Sequence, residues 1–184
     1  MSTASFDVTY VEQRNRLTNA FRPILAVPHL VVSGVWQNLA QILGLVQWFI
    51  IVFTGRRNQG IFTLQDQWLG YSARAYTYAS NMVDPYPPFG TSPGDTGISY
   101  AHGYTESADR LRTGLRLIWA IPALFVTMAL SIAGFVVVVV SWFAILFTGR
   151  QPRGMFDFLV KAHRYGVRFN SYVLLMTDTY PRYE

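Results

Sequence analysis

The chain has 184 residues, of which 51% are hydrophobic and only 14% charged, well below the roughly 25% charged residues of soluble globular proteins. It contains no cysteine, which excludes disulfides, thiolate metal sites and cysteine nucleophiles. In a soluble protein the net charge of +5 would suit nucleic acid. Beside long apolar segments it indicates anionic phospholipids instead, and we expect no nucleic-acid partner.

The N-terminal stretch MSTASFDVTYVEQRNR lacks the apolar core of a secretory signal. We therefore expect it to stay in the cytoplasm, with the first apolar segment acting as the internal signal for membrane insertion. The alternation of apolar and polar residues in FDVTYVE predicts a short strand over 6–12.

The first apolar block covers 24–53 and contains no charged residue. An uncharged stretch longer than about 18 residues is typical of a membrane segment, because a buried helix of that length needs a much larger soluble protein around it. One helix over the whole block would be about 45 Å long, against a hydrocarbon core of about 30 Å. A single span would therefore have to begin after Pro28.

Amide side chains interrupt this first block. Polar residues at membrane depth usually face protein or a cavity rather than lipid. We predict that these amides face a partner protein, the alternative being hydrogen bonds between the two halves of the chain. They are Gln37, Asn38, Gln41 and Gln47.

The first block ends in the sequence WFIIVFTGRR. Gly55 follows the last apolar residues, where a helix often ends in the left-handed conformation, and Arg56 then lies beside the negative end of the helix dipole. FTGR is thus interpreted first as a helix cap where the chain leaves the membrane. The other hypothesis is that the turn and its arginines hold a lipid phosphate.

A mixed apolar and polar segment over 60–82 predicts a second helix, and Asp84 begins the sequence DPYP after it. The stretch DPYPPFGTSPGDTG is rich in proline and glycine and predicts a loop. The second half then repeats this order, with a strand over 99–106, an uncharged block over 118–147, and a helix over 154–176. A single span in this half would have to begin after Pro122.

In this last helix, Lys161, Arg164 and Arg168 fall on one stripe, and an aromatic face that includes Tyr165 and Tyr172 lies beside it. The pattern is typical of a helix lying in the membrane interface. Packing of the aromatic face against the rest of the protein is the alternative. Together with the FTGR arginines, the candidate lipid-phosphate contacts are Arg56, Arg57, Arg150, Arg153, Lys161, Arg164 and Arg168.

The two halves are copies of each other. Trp142 lies 94 residues after Trp48, and the same offset aligns arginine, glycine, proline, tyrosine and aspartate residues without a gap. The predicted units are 1–90 and 91–184. We expect a mainly α integral membrane protein with pseudo-two-fold symmetry, in which each unit has a short strand, a long apolar helix or hairpin, and an amphipathic helix. The two strands are expected to pair as an antiparallel ribbon.

The duplication also constrains the membrane topology. Arginine-rich flanks belong on the cytoplasmic side in both units, so each unit should cross the membrane an even number of times. Two arrangements satisfy this condition: each block turns back as a hairpin or re-entrant loop, or each block spans and the following helix returns.

The chain contains no G-x-S-x-G motif, no Walker A motif and no dinucleotide-binding fingerprint. Its three histidines occupy unrelated positions in the two units, and none has a partner at ligand spacing, so we expect no metal and no cofactor. Asp84 and Asp178 are equivalent and would be candidates for acid–base chemistry, but an aspartate before Tyr-Pro is typical of a turn. We therefore do not expect an enzyme.

These motifs resemble a bacterial membrane-protein family classed as a domain of unknown function, in which the unit occurs singly or in tandem. The resemblance rests on W-F-x-I-x-F-T-G-R-x-P-R-G-x-F-D-F and T-D-x-Y-P, which the second unit matches closely. The first unit departs from the pattern at Asn58, Gln59, Thr63 and Tyr76. The resemblance implies location and architecture, and no particular chemistry.

The leading functional hypothesis is a non-catalytic accessory subunit of a larger bacterial membrane complex, either a transporter or a cell-envelope lipid machine. The alternative is a stand-alone protein that binds anionic lipid or shapes the membrane. In both cases we expect the bacterial plasma (inner) membrane, with multi-pass or re-entrant segments and cytoplasmic termini. Its expected partners are the bilayer, anionic phospholipids and, in the first case, a larger membrane protein.

Overall fold

A computed structural model describes residues 4–183 and is mainly helical. In chain order the first unit contains β1 (Ser5–Val8), α1 (Arg16–Leu25), α2 (Val27–Thr54) and α3 (Gln59–Ala79). The second unit contains β2 (Ile98–Ala101), α4 (Arg110–Gly114), α5 (Arg116–Thr148) and α6 (Arg153–Val173). The two units thus have the same order of elements, as the duplication predicts.

The strands β1 and β2 form an antiparallel ribbon, called here the ribbon, and its register reveals the symmetry of the fold. Phe6 pairs with Tyr100, which is its equivalent at an offset of 94. The neighbouring pairs, Ser5 with Ala101 and Asp7 with Ser99, are exchanged by the same offset. The pseudo-two-fold axis therefore passes between Phe6 and Tyr100. Both strands are shorter than predicted.

The second apolar block lies within the single helix α5, and the first is covered by α2 except for its first residues, which end α1. Neither block is a hairpin. As the sequence suggests, α2 has Pro28 in its first turn. In contrast, α5 begins at Arg116 and contains Pro122 within the helix. The helix over the second block therefore begins before Pro122, whereas a single span was expected to begin after it. The proline removes one backbone donor, but the rest of the helix continues through it.

Each long helix packs against the helix that follows it. Trp68 of α3 donates from Nε1 to the carbonyl of Ser33 in α2 at 3.1 Å, and the Ser33 and Ser72 hydroxyls lie 2.8 Å apart. Because α3 returns along α2, the two helices are antiparallel. The pair α5 and α6 repeats this arrangement, with Tyr165 donating from its hydroxyl to the carbonyl of Ala123 at 3.3 Å.

The two long helices also run antiparallel to each other. Trp48, near the end of α2, donates from Nε1 to the carbonyl of Thr113 in α4 at 3.0 Å, just before α5 begins. Trp142, near the end of α5, donates to the carbonyl of Asn19 in α1 at 2.7 Å, just before α2 begins. Each end of α2 therefore lies beside the opposite end of α5.

These contacts build three layers. The outer pair, α2 and α5, packs on the middle pair, α3 and α6, and the ribbon lies across the other face of the middle pair. At half-length of α3, the Tyr100 hydroxyl donates to Asp66 at 2.5 Å and the Tyr100 ring lies over Gly70. At half-length of α6, Arg164 donates from Nε to the carbonyl of Phe6 at 3.0 Å.

The outer pair exposes most of its apolar surface. Within the described residues, Arg16–Thr54 and Arg116–Thr148 are long and apolar enough to cross a membrane. Only 22% and 11% of their most apolar windows are buried within the protein. The core helix of a soluble protein would be mostly buried, so these two helices leave a large apolar surface without a protein partner.

Candidate functional site

The first FTGR turn is bound to the second unit of the chain. Gly55 ends α2 with φ of 73°, which suits glycine because a side chain is strained in this conformation. Its carbonyl accepts from the N–H of Ala108 at 3.0 Å, and the N–H of Arg57 donates to the carbonyl of Glu106 at 2.7 Å. Arg56, which is exposed, lies 3.6 Å from the Glu106 carboxylate.

The second FTGR turn makes the equivalent contacts to the first unit. The Gly149 carbonyl accepts from Arg14 N–H at 2.9 Å, and Gln151 N–H donates to the carbonyl of Glu12 at 2.9 Å. Arg150 is exposed and lies 3.7 Å from the Glu12 carboxylate. Both turns are therefore helix caps, as interpreted from the sequence, and in addition they join the two units.

A cluster called here the Asp178 end lies beside the first FTGR turn. Asp178 forms ion pairs at 2.6 Å with each of two buried arginines, Arg57 and Arg116. Arg116 also donates to the carbonyls of Tyr172 and Thr177, at 2.8 and 2.6 Å. Burial raises the pKa of Asp178, but the hydrogen bond and charge of Arg57, together with the charge of Arg116, outweigh burial, so the pKa lies below its usual range.

The Asp84 end is the equivalent cluster beside the second FTGR turn, and its second buried arginine, Arg14, comes from a different position in the unit. Asp84 accepts from the buried Arg22 at 2.7 Å. Gln151 stands at the position equivalent to Arg57, and it accepts from Arg14 at 2.9 Å while Arg14 also donates to the carbonyl of Met82. Asp178 thus forms ion pairs with two arginines and Asp84 with one. In both units the aspartate of DxYP therefore forms an ion pair with the arginine at the start of the apolar segment, Arg22 or Arg116.

The remaining basic candidates lie around α6. Arg153 donates to Asp157 at 3.0 Å and stacks on the Tyr10 ring at 4.4 Å. Arg164 lies 3.2 Å from Asp7, and Arg168 donates to the carbonyl of Arg182 at 2.9 Å. Lys161 is exposed. Of the seven candidate phosphate contacts, the structure buries Arg57, at 4% exposure, and leaves the others at least partly accessible.

The aromatic side of α6 is engaged within the protein. Tyr165 and Tyr172 are buried, and the ring of Tyr172 lies under the Arg116 guanidinium at 4.3 Å. The stripe with Lys161 and Arg164 is turned toward the ribbon and solvent. Of the two interpretations of this helix, packing of the aromatic face against protein is the one that these contacts match.

The four amides of the first apolar block have different surroundings. Gln47 is buried and accepts from the N–H of Asn58 at 3.2 Å, within the first unit. Gln37 is half-buried, whereas Gln41 is exposed. Asn38 is also exposed, and it donates to the Gly34 carbonyl of its own helix at 2.8 Å. Asn38 and Gln41 therefore lie on the outward apolar surface of α2.

An open cavity of about 650 Å³ lies between the two helix pairs. Its wall is mainly apolar, with Trp68 and Phe135 among its larger side chains. Four of the polar residues on this wall occupy equivalent positions in the two units: Gln37 is equivalent to Ser131, and Tyr76 to Asn170. The sequence patterns did not predict this cavity. One feature of the sequence does bear on the cavity: Tyr76 stands where the motif has asparagine, and both Tyr76 and the equivalent Asn170 line the cavity wall.

The described residues contain no group of three or more histidine, aspartate or glutamate side chains that could hold a metal ion. His29 stacks on Phe89 at 4.2 Å and contacts the Tyr71 hydroxyl at 2.8 Å. His163 contacts the Leu159 carbonyl at 2.9 Å, and His102 lies against the Phe62 ring at 5.1 Å. The histidines are thus separated among different packing contacts.

His102 predicts a pH dependence of stability. Burial, and secondly the charge of Arg57, lower the pKa of His102 to about 4. The unfolded chain takes up this proton below about pH 6.5, while the folded chain does so only near pH 4. The free energy of unfolding should therefore fall as the pH decreases from 6.5 to 4. In His102→Val, which copies the equivalent Val8, chemical denaturation across this range should show a smaller fall, and an unchanged slope would contradict the prediction.

The comparisons with known proteins concern the repeated unit. The family described as "Domain of unknown function (DUF4389)" matches residues 16–90 and again residues 110–183. No curated protein and no solved structure matches the chain. The two matches cover most of the chain and include both FTGR turns and both DxYP sequences, so the resemblance drawn from these motifs is confirmed. The chain belongs to this family and carries two tandem copies of its domain.

Proposed function

We propose that the protein is a non-catalytic accessory subunit of a larger bacterial membrane complex, held in the plasma membrane by the outer pair. The observation that carries the proposal is the position of two exposed amides, Asn38 and Gln41, on the otherwise apolar surface of α2. A transporter or a cell-envelope lipid machine is the expected host.

The outward surface of α2 is apolar on both sides of these amides. Asn38 lies on the same face as Val35, Ile42 and Leu45, which are 69%, 61% and 61% exposed. Such a surface suits lipid or the apolar face of another membrane helix. Asn38 donates to a carbonyl of its own helix, but an amide offers further donors and acceptors that lose water on insertion and gain nothing from lipid tails. Such amides favour a partner that offers a hydrogen bond.

The second unit supplies an internal comparison. The residues equivalent to Asn38 and Gln41 are Ile132 and Phe135, which are 68% and 71% exposed. The same helix position is therefore apolar in α5 and amide in α2. This difference supports a partner that contacts α2 and leaves α5 to the lipid.

The energetic scale of such contacts fits a selective association. Hydrogen bonds between membrane helices contribute on average about 0.6 kcal/mol, and up to about 1–2 kcal/mol in model peptides. Two amides therefore select an orientation and a partner, while packing of the apolar surface around them supplies most of the remaining affinity.

The test replaces the two amides with their equivalents from the second unit, Asn38→Ile and Gln41→Phe. A tagged chromosomal copy would be purified in mild detergent, and co-purifying proteins quantified by mass spectrometry. We expect a stoichiometric membrane protein with the unaltered chain and at least a tenfold loss of it with the double variant, at unchanged membrane content of the tagged chain. Ile132→Leu, a change on the other long helix, is the matched control.

Two outcomes would contradict the proposal. A partner recovered equally with the double variant would not contact α2 at these amides. Recovery of the chain with anionic lipid alone, in amounts that fall as salt rises, would favour the stand-alone lipid-binding alternative, because exposed arginines and Lys161 bind headgroups through screened charges.

A further inference from the structure

We infer that the protein is monotopic: the outer pair lies lengthwise in the hydrocarbon of one membrane leaflet, and both ends of the molecule and the ribbon face the same side. The inference rests on the membrane insertion in the proposed function and specifies its geometry. It differs from both topologies that the duplication suggests, because neither long helix crosses the bilayer.

The first argument is the position of charge along the molecule. Helix α2 contains no charged residue, and α5 has only Arg116 at its first position. The ribbon and the far side of the middle pair carry Asp7, Asp66, Lys161 and Arg164. Asp7 is 69% exposed at its side chain, and it lies across the half-length of α6 through its contact with Arg164.

This position excludes a transmembrane orientation on energetic grounds. If α2 and α5 crossed the bilayer, their half-length would lie at its centre, and so would the ribbon that lies across the middle pair. Charged residues on the ribbon side would then face hydrocarbon, which is strongly unfavourable. With the outer pair lying flat, the same residues face headgroups or water.

The second argument is length. Helix α2 has 28 residues and α5 has 33, which correspond to about 42 and about 50 Å. A hydrocarbon core is about 30 Å thick, so both helices are too long for an untilted span. A helix lying in the plane of the membrane has no such limit. Its diameter of about 10–12 Å fits within one leaflet of about 15 Å.

The third argument is the equivalence of the two ends. Arg56 and Glu106 lie at one end of the outer pair, and Arg150 and Glu12 lie at the other. Because α2 and α5 are antiparallel, a transmembrane orientation would place these equivalent clusters on opposite sides of the membrane. Lying flat places both on one side, so that a single arginine-rich surface meets the headgroups of a single leaflet.

The absence of cysteine from the chain allows a direct test. Gln13 and Ser107 are equivalent, exposed, and located at opposite ends of the outer pair. Gln13→Cys and Ser107→Cys would be made separately and treated with a membrane-impermeant maleimide, in intact cells and after permeabilisation. We expect the two variants to be labelled to the same extent within each condition, so that the ratio of Gln13→Cys to Ser107→Cys labelling is about one.

Unequal labelling decides against the inference: one variant labelled in intact cells and the other only after permeabilisation would show a membrane-spanning outer pair. If either variant does not accumulate, the equivalent exposed pair Val11→Cys and Thr105→Cys gives the same measurement. Equal labelling in intact cells would keep the one-leaflet geometry and place it in the outer leaflet.

A third variant separates this inference from the proposed membrane insertion. Phe125, on α5, is 66% exposed in the protein. Phe125→Cys should resist the maleimide in permeabilised cells and react only after detergent extraction. If it reacts as readily as Ser107→Cys before extraction, the outer pair is not in lipid and the membrane proposal itself fails, whatever the labelling of the two ends.

Discussion

Replacing Asp178 with Asn is expected to lower the free energy of unfolding by about 3 kcal/mol, at the lower end of the range for breaking a buried ion pair. The carboxylate is 18% exposed and forms ion pairs with both Arg57 and Arg116 at 2.6 Å. The neutral amide of the variant would leave two guanidinium groups without their counter-charge at the junction of the two units. Denaturant unfolding in detergent, followed by tryptophan fluorescence, measures the change.

The first unit supplies the control for this prediction. Asp84→Asn breaks a direct ion pair with Arg22 alone, because the second buried arginine at this end, Arg14, donates to Gln151 and to the Met82 carbonyl instead. The loss of stability should therefore be smaller than for Asp178→Asn. The double variant Asp178→Asn with Arg57→Gln removes one of the two guanidinium groups left without a counter-charge and should recover part of the loss. Equal losses for the two single variants would show that the ion pair with Arg57 contributes nothing.

Gly149→Ala is expected to destabilise the protein by about 1–2 kcal/mol, the usual penalty of a side chain in the left-handed conformation. Gly149 has φ of 72°, and an added Cβ would lie 2.9 Å from Nε of Arg16. The substitution strains the turn and displaces a side chain that covers it from the other unit. Thermal unfolding in detergent measures the loss, and Gly55→Ala should behave alike.

A helical glycine in the same element is the control. Gly134 lies within α5, and an added Cβ there meets no atom within 4 Å. Gly134→Ala should stabilise the helix by about 0.5–1 kcal/mol, because alanine loses less backbone entropy on folding. Opposite signs for the two substitutions would assign the effect at Gly149 to its conformation. Destabilisation of similar size at both positions would refute that assignment.

The parts of the fold that follow from local pattern were accessible from the sequence. The glycine of FTGR ends each long helix because a left-handed residue is needed there, and the apolar pattern locates α2, α3, α5 and α6 to within a few positions. The short helices α1 and α4 were not predicted. The offset of 94 also led to the expected ribbon. Two equivalent strands can pair about a two-fold axis only as an antiparallel pair, and Phe6 opposite Tyr100 is such a pairing.

The contacts between the two units could not be predicted from local sequence pattern. Arg57 forms part of a basic pair in the sequence, yet it is buried against Asp178, more than 100 residues later. Nothing local distinguishes it from the exposed Arg56 beside it. The cavity depends in the same way on how the two helix pairs are placed beside each other, a tertiary arrangement that periodicity does not encode.

The exchange of contacts at the FTGR turns has a consequence for chains with a single copy of the domain. The Gly55 carbonyl and the Arg57 N–H find their partners in the second unit, and within residues 4–183 the strand β1 pairs with β2 alone. A lone unit would carry an open strand edge and a turn without its hydrogen-bond partners. It is expected to obtain both from another molecule of itself, as a symmetric homodimer in which the pairing of Phe6 with Tyr100 becomes the pairing of one residue with its own copy.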